Sequence, residues 1–158
     1  MKIPASDRSF ARGLRALDEG KTLVALAFFE ASLKLNDSAP NPARREKYSS
    51  YYGYCLAAAL GRTRDGLAIC RKAADGEFFS PEILLNLARV HLLADQKREA
   101  WETLMRGLSL DPEHGGLRAE VRRMGIRKPR AIPFLDRAHP LNKAAARLGI
   151  KRKAAGRK

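Results

Sequence analysis

Apolar residues in the stretch KREAWETLMRGLSLDP, residues 97–112, recur every four positions at Ala100, Leu104 and Leu108, with Trp101 and Met105 beside them. That spacing lays an apolar stripe along one face of a helix of 3.6 residues per turn. Charged residues open the stretch and Asp111-Pro112 closes it. Similar patterning predicts helices over about 7–19, 22–36, 44–60, 63–75, 81–94 and 97–109. Ser80-Pro81-Glu82 reads as a helix start: a capping hydroxyl, a proline in the first turn, and an acid at the positive end of the dipole.

These helices come in a repeating order. A shift of 34 residues lays TRDGLAICRKAADGEF, residues 63–78, on the opening stretch. Asp65-Gly66 then falls on Glu99-Ala100, Cys70 on Leu104, Ala73 on Gly107, and the turn Gly61-Arg62 on Asp95-Gln96. A third copy, EGKTLVALAFFEASLKLND, puts Gly20 at the turn, Ala25 at the first small position, Phe29 at the large one and Ser32 at the second small one. Each copy follows another helical stretch, so the unit is a helix pair. One such pair cannot bury its apolar face alone; stacked neighbours must cover it.

The period and the small–large–small pattern resemble the tetratricopeptide repeat family. Three repeats fall at about 6–39, 47–80 and 81–114. The third carries Leu84, Leu87-Ala88, Ala100, Leu104, Gly107 and Pro112 at signature positions. Ser9 and Ser50 stand where the family has tryptophan; Ala16, Ala57 and His91 stand where it has tyrosine; Asp37 and Phe78 replace its closing proline. Beyond the third repeat, Leu117, Val121 and Met124 make a narrow apolar stripe with Arg118, Arg122 and Arg123 outside, which suits a capping helix at about 112–124 ended by Gly125. The expected architecture is an all-α solenoid over residues 1–125, of three repeats and a cap, followed by a C-terminal extension, residues 126–158.

The resemblance also implies where a ligand would lie. In such repeats the first helices of successive units line a groove that holds a peptide. Matching positions assign Phe10, Leu14, Tyr48, Tyr51, Tyr52, Cys55, Leu85, Asn86 and Arg89 to it. The run YSSYYGY, residues 48–54, holds all four tyrosines of the chain, a residue type that gives an interface large contact area and one hydrogen-bonding tip. Only Asn86 and Arg89 match the Lys and Asn residues with which some family members clamp a terminal carboxylate.

Catalytic signatures are absent. The sequence has no P-loop, GxGxxG, HExxH or GxSxG, and its three histidines, His91, His114 and His139, are scattered. Cys55 and Cys70 lack metal-ligand spacing and are expected as buried thiols, one toward the groove and one toward the core. The reading is a non-catalytic protein without cofactor or metal. His91 is expected in the core. No apolar run reaches the ~20 residues of a membrane helix, and MKIPASDRSFARG has no apolar core for an export signal, so a cytoplasmic location is expected.

Charge divides the chain. Residues 115–158 hold 14 Lys and Arg against two acids, whereas residues 1–114 are close to neutral with 17 bases and 15 acids. Phosphate neutralisation needs only clustered cations. The end of the chain, with Lys151, Arg152, Lys153, Arg157 and Lys158, would therefore suit nucleic acid, a ribosome, an acidic protein or an anionic membrane surface. Within the extension, Pro129, Pro133 and Pro140 forbid a regular helix through most of residues 131–142. The apolar Ile132, Phe134, Leu135 and Leu141 suggest a segment that docks back on the solenoid.

Overall fold

The computed structural model describes residues 3–38 and 40–125, and those up to Met124 lie in one compact unit. The extension lies outside the described residues, and with it the expected docking segment (Ile132, Phe134, Leu135, Leu141) and the terminal cations.

Seven α-helices and no strand occur among the described residues: α1 (Ala5–Asp18), α2 (Thr22–Asp37), α3 (Pro42–Leu60), α4 (Thr63–Gly76), α5 (Pro81–Leu93), α6 (Lys97–Leu110) and α7 (Gly115–Met124). They pair as the hairpins α1–α2, α3–α4 and α5–α6. The hairpins stack through α2 on α3 and through α3 and α4 on α5; α7 closes on α5 and α6. The described residues form an all-α helical repeat, and each helix expected among them is present within a few residues of its expected ends.

Local chemistry explains the boundaries. α3 and α5, which follow longer connections, start with a capping side chain and a proline: Asn41 Oδ1 accepts from Arg44 N at 3.1 Å, and Ser80 Oγ from Ile83 N at 3.4 Å. The second helices, α2, α4 and α6, start without a side-chain cap. The tight turns before them each need one left-handed residue, supplied by Gly20 (φ 74°), Gly61 (φ 67°) and Asp95 (φ 57°). Asp is among the few side chains that tolerate this region.

The small–large–small pattern of the second helices is the core itself. Ala25, Gly66 and Ala100 are buried, as are Phe29, Cys70 and Leu104, and then Ser32, Ala73 and Gly107. Small residues let helices approach closely. Gly107 lies under the Leu117 side chain of α7, and Gly13 lies under the Phe29 ring. Three apolar clusters follow one another along the stack, centred on Phe10 and Phe29, on Cys70 and Leu84, and on Leu104 and Leu117. His91 is buried as expected, with Nδ1 2.7 Å from Gln96 Oε1. Trp101, by contrast, is exposed on α6.

The first helix of the second hairpin departs from the expected register. Phe29 follows Gly13 by 16 positions and Leu104 follows Ala88 by 16, but Cys70 follows Gly53, the glycine it packs against, by 17. The extra residue is absorbed in α3, which has 19 residues against 14 in α1 and 13 in α5. One residue is about 100° of rotation on an α-helix. Relative to the 34-residue frame, the α3 side chains are therefore turned by that angle.

Candidate functional site

The turn of α3 decides which tyrosines are buried. Tyr48 and Cys55 were expected in the groove; they are 1% and 0% exposed. Tyr48 instead packs on Phe10, with ring centroids 4.8 Å apart, and donates its hydroxyl hydrogen bond to Asp7 of α1, whose carboxylate also pairs with Arg44 at 3.2 Å. Burial, then the bond to Asp7, pushes the Tyr48 phenol above its ordinary range. Cys55 joins the same core cluster as Phe10, so both thiols are buried and neither faces a groove. Tyr52 is turned to the other side, where it lines a cleft between α2, α3 and α4 with Leu33 and Ile69.

Of the remaining expected groove residues, Phe10, Leu85 and Asn86 are also buried. Phe10 stacks among Phe29, Tyr48 and Tyr51. Leu85 packs in the cluster with Leu117 and Val121 of α7. Asn86 donates through Nδ2 to Ser50 Oγ at 3.2 Å, and Ser50 donates to the Lys47 carbonyl at 2.8 Å. Ser50 is thus a polar spacer between α3 and α5, and Asn86 is taken out of any carboxylate clamp. Leu14, Tyr51 and Arg89 stay partly exposed.

What the structure assembles instead is a cleft of 410 Å³ between α3, α5 and α7. Tyr54, brought round by the shifted register, lines it together with Arg89, whose guanidinium lies 5.3 Å from the Tyr54 ring centroid. Leu92, Leu93 and Met124 supply apolar lining. At the edge stand Arg123 and Lys97, both largely exposed; Lys97 pairs with Asp95 at 3.1 Å.

The buried charge of the cleft is Glu120, 3% exposed. It accepts from Arg89 Nε at 2.9 Å and from an Arg123 terminal nitrogen at 3.3 and 3.2 Å. A buried carboxylate is tolerated only when paired in this way. Nearby, Lys47 of α3 pairs with Glu82 of α5 at 2.6 Å. Tyr51 sits between, its phenol pushed up to about 12 chiefly by burial and then by the Glu82 carboxylate. Neither Glu120 nor Tyr54 was singled out from sequence. An acid among arginines reads as a solvated face, while the signal for Tyr54 was Gly53 beside it, the small residue that fixes the helix register.

No protein-family model matches the chain, and no curated protein does. No helix among the described residues is long and apolar enough to cross a membrane.

Proposed function

We propose that the protein is a non-catalytic interaction scaffold of the tetratricopeptide-repeat kind, holding a peptide or protein partner on the face formed by its first helices. The cleft between α3, α5 and α7 carries this reading. It combines an aromatic side chain, aliphatic lining and arginines held in place by a buried carboxylate. Anchored Tyr and Arg beside apolar surface is the composition of a binding hot spot. An array of short peptides probed with the full chain tests it. Peptides retained by the natural protein should be lost or weakened at least about tenfold by Tyr54→Ala and by Leu93→Ser, since a central contact is worth 1–2 kcal/mol or more. If neither substitution changes any retained peptide, the cleft is not the site.

A second reading, binding of nucleic acid or ribosomes through the basic extension, draws support from charge. Arg118 and Arg122 are exposed on α7 immediately before the strongly basic residues. About six phosphate contacts would lower affinity on the order of a thousandfold between about 50 and 200 mM salt. A chain that fails to bind heparin at the lower salt does not work this way.

A further inference from the structure

Resting on the scaffold reading, we propose that the α3–α5–α7 cleft selects an acidic peptide segment with an apolar side chain next to its carboxylate. The carboxylate would pair with Arg89 and Arg123, and the apolar side chain would lie against Leu92, Leu93 and Met124.

Charge complementarity carries the assignment. Two guanidinium groups share the single buried carboxylate of Glu120, so this cluster keeps one excess positive charge. Arg89 commits only Nε to Glu120, and Arg123 only one terminal nitrogen; their other donors have no protein partner among the described residues. Arg89 is already oriented by Glu120 and by the Tyr54 ring, so little side-chain freedom is lost when an anion arrives. Lys97 adds positive charge at the edge, and its partner Asp95 is a wholly surface pairing that costs little to exchange. A basic peptide would meet this excess positive charge; a simple polyanion would leave the apolar lining unused.

The probes are fluorescein-labelled short peptides, blocked at both ends, with Glu-Leu, Gln-Leu or Glu-Ser at the centre, titrated into the full chain by fluorescence anisotropy. The Glu-Leu peptide should bind about tenfold tighter than either control, the effect of one charge-assisted hydrogen bond or one buried aliphatic side chain. Arg123→Glu, at an exposed side chain, should weaken Glu-Leu about tenfold and leave Gln-Leu nearly unchanged. Glu120→Gln, checked for its fold by circular dichroism, should tighten Glu-Leu because it removes the competing carboxylate. Equal binding of Glu-Leu and Gln-Leu overturns the proposal, as does an Arg123→Glu variant that binds Glu-Leu normally. So does a single-stranded oligonucleotide that binds the same site while Glu-Leu and Glu-Ser bind alike. If Glu-Leu fails while other peptides bind and are lost in Tyr54→Ala, this inference falls and the scaffold reading stands. If peptides of no class bind, both fall.

Discussion

Replacing Gly66 by alanine tests the close approach of α3 and α4 through the sign of a stability change. Gly66 lies within a helix with an ordinary backbone, so helix propensity alone predicts that alanine stabilises by about 0.8–1.0 kcal/mol. The structure predicts the reverse. A Cβ at Gly66 would stand 2.6 Å from the Gly53 carbonyl oxygen and 2.9 Å from Ala57 Cβ. Neither neighbour is the tip of a flexible side chain, so no rotamer change relieves the contact. The two helices must separate by several tenths of an ångström along a seam that holds the buried Cys70 and Ala73. Overpacking of this kind costs typically 1–3 kcal/mol, and here the opposing backbone makes the upper half of that range apt. After the gain in propensity, the net expected loss is about 1–2 kcal/mol. Urea unfolding followed by far-ultraviolet circular dichroism measures it, with an unchanged dependence on denaturant showing that the unfolded state is not the cause. A neutral or more stable Gly66→Ala would mean that α3 and α4 do not meet at Gly53, and the rotated tyrosine assignment would fail with it.

Leu104 is fully buried between α5, α6 and α7, so Leu104→Ala should cost about 2–5 kcal/mol; a loss in the surface range, below about 0.5 kcal/mol, would contradict that seat. A Cβ at Gly61 would touch nothing within 4 Å, yet its φ is left-handed, so Gly61→Ala should lose about 1–2 kcal/mol from backbone strain alone, read from the same urea transitions; a stabilised variant would refute the turn geometry. Burial pushes the thiols of Cys55 and Cys70 from 9.0 up to about 12. The unfolded chain therefore releases these protons first, and the stability they contribute is whole below pH 9 and lost as pH rises toward 12, with Tyr51 adding to the fall above pH 10. Urea midpoints that stay level through this window would show that these groups are not buried.

How much of this could be read from sequence differs from element to element. The second helices were legible because each holds small, large and small residues on one face with polar residues opposite, as in Ala100, Leu104 and Gly107. The helix start at Ser80-Pro81 was legible from its capping serine and first-turn proline, whereas Asn41-Pro42, with the same chemistry, starts α3 two residues before the expected 44. α3 was harder. Tyrosines at 48, 51, 52 and 54 spread over nearly half its circumference, so apolar periodicity left two registers a residue apart, and only the packing of Gly53 on Cys70 chooses between them. The candidate site inherited that ambiguity: Tyr48 and Cys55 belong to the core, and Tyr54 belongs to the cleft. Glu120 was illegible for another reason. Its burial depends on Arg89, which precedes it by 31 positions and lies on a different helix.

The length of α3 bears on how the molecule comes apart. In a regular repeat array each interface is held separately, and the array can peel from an end one unit at a time. Here a single helix holds Asp7 of α1 through Tyr48, Cys70 of α4 through the Ser50 carbonyl, and Asn86 and Glu82 of α5 through Ser50 and Lys47. Loosening α3 releases the grip on the elements before and after it together. Amide hydrogens of α1, α4 and α5 should then share one opening free energy, because an axle common to its neighbours sets a single cooperative unit where separate hinges would set several.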